Sequence, residues 1–524
     1  MRENENTTEN NLSRRSFLQG AGLGTLAVAG AGILASCGND SDQVANDAET
    51  AITWDSETDV AVIGSGTAGL VSAITMFEEN PDIDVKILEK TDFIGGVSGV
   101  CVQMCAFDSK LDLKQPVEGV ADSAELMLEN MIDVSEHTLD PALAKIICDN
   151  SADAVNWIAD LGVEFLPELK IAECRDGQGK YIMQTAGDHV QRMLEKVNEK
   201  TEIMGECSLQ EIFRDKETGK ITGISYTDPS GNVHTMGTRK GVIICSGMWS
   251  DDETMLQRHR TWIPDVPKET AKTFASFGMP YGPYTGEAIQ AAMKVGAATR
   301  GMEHFMIEPY FSISELMSQG VAVAGIARTV YQVLVSSDGK RFTNEGGRGA
   351  IGEATFELPD QTFYPILDSR IMEQDGNPSP EVLEEWITAG HVVKGHTYEE
   401  LAAQMEEVLN IPQDAVLETL NTYASYCAEG IDPEFNKNAL FLAPLDTPPY
   451  YAGPATTALV FYTHGGLDAD ENARVRDIEG NVIPGLYAAG MCTGGKFGKD
   501  TVSGNWQTGS IVFGRIAGKN IVSD

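Results

Sequence analysis

Asp59-Val-Ala-Val-Ile-Gly64-Ser-Gly66-Thr67-Ala68-Gly69-Leu-Val-Ser-Ala-Ile74 decides how the rest of the chain is read. The apolar run Val60 to Ile63 predicts a buried parallel strand. It leads directly into Gly64-x-Gly66-x-x-Gly69 and a helix-like segment, Leu70 to Phe77. The three glycines serve separate ends: a tight turn, close approach of backbone to a pyrophosphate, and close packing of helix on strand. The pyrophosphate then rests on free N–H groups at the helix start, around Thr67 and Ala68. A second strand, Asp84 to Leu88, ends in Glu89, twenty positions after Gly69, with Lys90 beside it. That is where a carboxylate should hold a ribose hydroxyl. Another Gly-x-Gly-x-x-Gly, Gly347 to Gly352, follows a polar turn and lacks this context.

The chain of 524 residues is long enough for two or three domains. It carries 38 basic against 78 acidic side chains, a net charge of −40. That excess argues against nucleic acid and against adhesion to anionic lipid, and its diffuse spread predicts a solvated surface. Ser13-Arg14-Arg15-Ser16-Phe17-Leu18 reads as a twin-arginine export signal. The Gly/Ala run that follows, Ala21 to Ala35, is too short and glycine-rich for a membrane span. Leu34-Ala35-Ser36-Cys37 resembles a bacterial lipobox, which implies a lipid anchor at Cys37 on an acidic tether, Gly38 to Thr50. The expected location is therefore extracytoplasmic, at the cell membrane. The nine cysteines include no Cys-x-x-Cys-His for haem and no iron–sulfur or zinc spacing, so no metal is expected.

Helical periodicity runs from Val120 to Leu161, and a further helix is predicted over Asp188 to Lys200. Hairpin signals fill Gly205 to Thr235, and a buried strand, Gly241 to Cys245, runs into Ser246-Gly247. From about Gly301 aromatic and polar residues mix. A helical region covers Tyr398 to Ala428, and Asp446-Thr-Pro-Pro449 reads as a boundary. Beyond it lie a strand, Gly485 to Gly490, and a final helix, Gly509 to Ala517.

Pro484-Gly-Leu-Tyr-Ala-Ala-Gly490, Thr493-Gly-Gly495, Gly504-Asn505 and Ile511-Val-Phe-Gly-Arg-Ile-Ala-Gly518 resemble the fumarate reductase/3-ketosteroid dehydrogenase group of FAD flavoproteins. Asp338-Gly-Lys-Arg-Phe-Thr-Asn-Glu345, Pro448-Pro-Tyr-Tyr-Ala452 and Gly465-Gly466-Leu467 are similar to segments of the same group. The resemblance spans about Asp55 to the end. It implies an α/β fold: a discontinuous Rossmann-like FAD-binding domain with an inserted smaller α+β catalytic (capping) domain. The implied division is 1–37 signal and lipobox, 38–54 linker, 55–300 first FAD-binding segment, 301–446 catalytic domain, and 447–524 second FAD-binding segment. By position, Gly64, Gly66, Thr67, Ala68, Gly69, Glu89 and Lys90 hold the ADP half. Gly95, Gly96, Ser98 and Gly99 lie near the flavin ring, with Gly247, and Gly490, Asn505, Ser510 and Ile511 close over it. The final helix then offers N–H groups to the reduced, anionic flavin. Two positions depart from the family's pattern: Met491 stands where Glu is common, and Val97 where Asn or Thr is.

The substrate side departs further. Fumarate reductases of this group carry His-His-Thr-Met-Gly-Gly, where this chain has Phe461-Tyr462-Thr463-His464-Gly465-Gly466. They also carry an arginine three residues before Gly-Asn, where this chain has Thr501. A threonine hydroxyl does not replace a bidentate guanidinium, which argues against fumarate. Tyr451 and Tyr462 suit a neutral carbonyl conjugated to C=C, and ketosteroid dehydrogenases use a tyrosine in the Pro-Pro-x-Tyr-Ala segment in this way. Arg348, three residues after Glu345, is the candidate proton donor, with Tyr310 an alternative. The expected reaction is reduction of an activated C=C, by hydride from the flavin and protonation, fed by an external electron donor that is quinol-linked or a c-type cytochrome. A desaturating dehydrogenase, a thiol–disulfide flavoprotein using Cys101 and Cys105, and an electron-transfer flavoprotein are the competing readings.

Overall fold

β1 (Ser56–Ile63), α1 (Thr67–Glu79) and β2 (Val85–Leu88) form the strand, turn, helix and strand expected from Asp59–Glu89. The computed structural model describes residues 52–99, 101–106, 123–165, 170–173, 179–184, 187–259, 282–311, 331–346, 348–372 and 378–524. The segment expected to be an export signal, and Cys37, lie outside them. Val60, Ala61 and Val62 are wholly buried because the parallel sheet is covered on both faces, Val60 and Val62 packing into one core cluster and Ala61 into another. β2 pairs from Val60↔Val85 to Ile63↔Leu88, and Val233–Ile244 pairs on the other side with Val62 opposite Ile243. Each such Val or Ile contributes about 1.5–3 kcal/mol of burial, so the run has no amphipathic alternation. Ile203–Met204 and Val482–Ala488 extend the parallel order outward, and three antiparallel strands complete an eight-stranded sheet.

The helix Asn505–Ser523 crosses α1 through small residues. A Cβ on Gly514 would lie 2.9 Å from the Ala68 carbonyl oxygen, and one on Gly518 2.5 Å from that of Ser72. This helix starts four residues before the Gly509 expected from sequence. Gly504 caps it at φ 88°, and a Cβ there would meet the Cys105 amide at 2.7 Å.

Phe305–Phe311, Thr456–Thr463, Phe363–Asp368, Tyr450–Ala452 and Val393–Gly395 follow one another in a second, antiparallel sheet, with Val333–Ser336 beside Phe363–Asp368. This sheet continues to residue 463, past the boundary read at Asp446 to Pro449. The helical region near Tyr398 is two helices, Tyr398–Leu409 and Gln413–Glu429, split where Asn410 turns left-handed at φ 59°. The fold is thus mixed α/β, and among the described residues no helix is long and apolar enough to cross a membrane.

The Asp338–Glu345 motif forms a buried ionic knot. Arg341 makes paired bonds to Glu345 (2.8 and 2.8 Å) and to Asp432 (2.8 and 3.2 Å). Lys437 Nζ lies 3.4 Å from Glu345 and donates to Tyr423 Oη at 2.9 Å. Burial opposes the Arg341 charge, but the two carboxylates outweigh it and hold the guanidinium protonated well above its usual range. The knot fixes the chain immediately before the helix Arg348–Glu357.

Candidate active site

One cleft runs along the carboxyl ends of the parallel strands, where ligands of open α/β sheets bind. Gly64, Gly66, Thr67, Ala68, Glu89, Lys90, Gly96, Ser98, Gly247, Gly490 and Ser510, all expected cofactor residues, lie on its wall. Its floor depends on missing side chains. A Cβ on Gly64 would stand 2.5 Å from the Cys245 carbonyl oxygen, and one on Gly490 2.9 Å from Ala68 Cβ. Two buried hydroxyls on the wall, Thr67 Oγ1 and Ser246 Oγ, have no partner among the described residues. A backbone-lined channel opening on a helix start, with unsatisfied hydroxyls, fits a dinucleotide.

Glu89 accepts four bonds in this cleft: from the Ser65 amide (3.1 Å) and hydroxyl (2.8 Å), and from the Thr91 amide (3.1 Å) and hydroxyl (3.1 Å). Ser65 and Thr91 are therefore elements of the site that motif reading misses. Lys90 pairs with Glu287 at 3.0 Å and with the Thr285 hydroxyl at 3.0 Å. Burial alone would raise the Glu287 carboxyl, but Lys90 and Thr285 hold it below its usual range. Ser98 Oγ accepts from the Thr67 amide (3.0 Å), and its carbonyl lies 2.8 Å from His189 Nε2. Burial pushes the His189 imidazole down, so this support is a neutral ring.

The remaining expected cofactor residues stand off the cleft wall. Gly69 is where α1 meets the turn, and a Cβ there would overlap the Gly64 carbonyl oxygen. Gly95 turns at φ 102° with Val190 beside it, and Gly99 faces Phe93. Asn505 is wholly buried and its Oδ1 has no partner among the described residues. Ile511 is wholly buried in the core under α1, because its helix turns that face inward.

At the other end the cleft meets the second sheet through Tyr462, Met306, Met248 and Tyr284, with Val97, Met491, Cys101 and Trp506 packed against them. Tyr462 is buried, its Oη is 3.1 Å from Cys101 Sγ, and its ring centre is 4.9 Å from that of Trp506. Trp506 Nε1 donates to His464 Nε2 at 2.9 Å, and His464 Nδ1 lies 2.9 Å from the Gly498 carbonyl oxygen. An indole N–H only donates, so His464 Nε2 carries the lone pair and Nδ1 the proton. Burial pushes this imidazole down to about 4. His464 is a neutral brace for Trp506.

Tyr451 is not within this assembly. Tyr450–Ala452 pairs with Phe363–Asp368, Tyr451 opposite Leu367; after a break at Gly453, which turns at φ 95°, Thr456 pairs with Phe363 and the strand Thr456–Thr463 goes on beside Phe305–Phe311. Tyr451 and Tyr462 thus stand on separate strands, and Tyr462 pairs with Met306. The Tyr451 ring lies 5.7 Å from Lys394 Nζ instead. Tyr310 pairs with Thr457, which places its backbone five positions, roughly 15 Å, from the Met306↔Tyr462 pair. Arg348 heads the helix Arg348–Glu357, whose Gly352 would bring a Cβ to 2.6 Å from the Ile307 carbonyl oxygen. The Arg348 side chain lies outside the described residues. Lys499 pairs with Glu353 at 2.9 Å and Glu136 at 3.2 Å.

Cys101 and Cys105 are thiols, with no disulfide between them. Among the described residues no group of three or more His, Cys, Asp or Glu could hold a metal ion.

The family model described as FAD binding domain matches residues 59–505. An NADH:acrylate oxidoreductase of Vibrio harveyi is 27% identical over 383 residues, 72% of this chain and 36% of that protein. A urocanate reductase of Eggerthella lenta is 28% identical over 477 residues, 88% of this chain and 74% of that protein. The chain thus spans about a third of the length of the first relative. In fold, it is similar to a 3-ketosteroid-delta4-(5alpha)-dehydrogenase of Rhodococcus jostii RHA1, with a TM-score of 0.69 at 22% identity, over 91% of this chain and 99% of that one.

Proposed function

We propose, from the premise that this chain belongs to the FAD binding domain family and takes FAD as its cofactor, that it reduces an activated C=C bond in a small, uncharged substrate. The parallel sheet acts as a Rossmann-like FAD-binding domain and the antiparallel sheet as its catalytic cap. The observation that carries this reading is the buried Tyr462 hydroxyl at the junction of cleft and second sheet, inside a cluster of Met, Val, Tyr and Trp side chains. A dicarboxylate needs paired cations there. Thr501 stands instead, buried, with its Oγ1 accepting from Asn505 Nδ2 at 3.4 Å.

Bound FAD supplies the two-electron chemistry. The chain's own residues do the rest. The apolar cluster excludes water and so strengthens any polar contact made inside it. Tyr462 Oη donates to the substrate carbonyl and stabilises the negative charge that gathers on that oxygen. Trp506, fixed by His464, sets the tilt of the Tyr462 ring. Arg348 is the proposed proton donor to the α-carbon, and its helix rests on the strand Phe305–Phe311 that holds Met306 opposite Tyr462. A reduced quinol or c-type cytochrome supplies the electrons. Export by Arg14-Arg15 and anchoring at Cys37 place the enzyme outside the cytoplasm.

Anaerobic FAD-loaded protein with reduced methyl viologen tests the reaction against a panel of enones, cinnamates and steroids. Viologen oxidation with at least one neutral enone, and none with fumarate, is expected. Silence across the panel, or faster desaturation of saturated ketones with a quinone dye, would overturn it.

A further inference from the structure

Lys496 lies directly behind the cofactor cleft. It is wholly buried, and its Nζ donates to the Gly490 carbonyl oxygen at 2.6 Å and to Thr493 Oγ1. The rings of Phe497 and Phe513 are centred 5.7 and 5.2 Å from that nitrogen. Besides the neutral imidazole of His464, its titratable neighbours are Cys492 and Cys245. Burial holds both as neutral thiols, pushing Cys492 up to about 11 and Cys245 well above its usual range. No carboxylate among the described residues faces the ammonium. Burial lowers it to about 8, which leaves it mainly protonated at neutral pH. A methionine would fill this space without the desolvation that a buried ammonium incurs. Packing alone therefore does not account for a lysine here.

The neighbouring peptide suggests what the charge does. Gly490 and Met491 both line the cofactor cleft. The bond between them is trans, so the Gly490 C=O and the Met491 N–H point in opposite directions. Lys496 holds the oxygen, helped by the Thr493 amide at 3.3 Å and hydroxyl at 2.9 Å. The Met491 N–H lies on the side of the peptide opposite Lys496. Three donors on one carbonyl polarise its peptide and make the opposite N–H a stronger donor.

We propose that Lys496 is a positioning charge that sets the reduction potential of bound FAD, acting through the Gly490–Met491 peptide to favour the reduced, anionic flavin ring over the neutral oxidised ring. The inference rests on FAD binding alone, and neither the substrate nor the direction of the reaction enters it.

The test is anaerobic redox titration of FAD-loaded wild type, Lys496→Met and Lys496→Gln against dyes of known potential, with flavin content and thermal unfolding measured on the same samples. Both variants are expected to keep oxidised FAD. In both, the preference for reduced over oxidised FAD should fall at least tenfold, a potential lower by about 30 mV or more. A change under twofold in either variant overturns the proposal. So does a wild-type potential in Lys496→Gln alone, since glutamine keeps a donor to Gly490 without the charge. Loss of FAD or of the folded state in both variants would assign Lys496 to packing and equally overturn it.

Discussion

The two ends of the cleft are built by opposite means. At Gly64–Gly69 the wall is backbone, and the shape depends on side chains that are absent: a Cβ on Gly64 would stand 2.5 Å from the Cys245 carbonyl oxygen. At Tyr462 the wall is side chain, and the shape depends on rings held by other rings, with Trp506 braced by a neutral His464. The first end uses contiguous residues and serves any ligand with the same phosphates. The second draws on residues from 93 to 506 and is where relatives of one fold can differ. A change at the glycine end should therefore cost the cofactor, and a change at the aromatic end should cost the reaction while the cofactor stays.

The harshest way to break this contrast is Gly69→Ala, which drives a methyl into the Gly64 carbonyl oxygen. FAD affinity should fall at least a hundredfold, about 3 kcal/mol or more, read as flavin absorbance after gel filtration. Stoichiometric FAD in this variant would mean that the turn is not the pyrophosphate seat. Tyr462→Phe should do the reverse, keeping full flavin content while turnover of a neutral enone drops roughly 10²- to 10³-fold. Unchanged turnover would remove the hydroxyl from the mechanism.

Acid sharpens the same contrast. The folded-state imidazole of His464 titrates near 4, below the free value of 6.5. The unfolded chain therefore binds the extra proton first as pH falls. The stability tied to this group is complete above about pH 6.5 and is lost as pH drops from there toward 4, on the order of 2–3 kcal/mol by pH 4.5. Denaturant titrations of wild type and His464→Gln at pH 7.5 and 4.5 measure it as the difference in acid sensitivity. An equal loss in both proteins would show that the ring is not held neutral. The smallest expected effect is at the cleft edge: Lys90→Met breaks a part-exposed pair with Glu287 and should weaken FAD less than tenfold by fluorescence titration. A hundredfold loss would make Lys90 a direct cofactor contact.

How legible each end is in the sequence follows the same division. The turn at Gly64, the strand to Glu89 and the strand Val482–Ala488, read from the run Gly485 to Gly490, are local, so apolar runs and glycine spacing disclose them. The last helix begins earlier than its periodicity suggests because its cap, Gly504, is set by the distant Cys105 backbone. Lys90 meets Glu287 only in three dimensions, and no spacing rule links positions 197 apart. Tyr451 and Tyr462 look equivalent as aromatic residues in one segment. Only the pairing register shows that Tyr462 stands beside Met306 in the cluster at the cleft's end while Tyr451 stands beside Leu367 on another strand. His464 stands out by its family position, but its tautomer and neutrality come from Trp506 and from burial.

The crossing of α1 by the helix Asn505–Ser523 has a consequence for biosynthesis. The helix that carries Thr67 and the helix that carries Ser510 meet face to face, yet more than 400 residues of chain are made between them. At about 5–20 residues per second on the ribosome, the first half of the cofactor seat waits tens of seconds for its lid. During that time the apolar flank of α1 has no partner. A nascent chain paused before residue 505 should be retained by chaperones and bind no flavin.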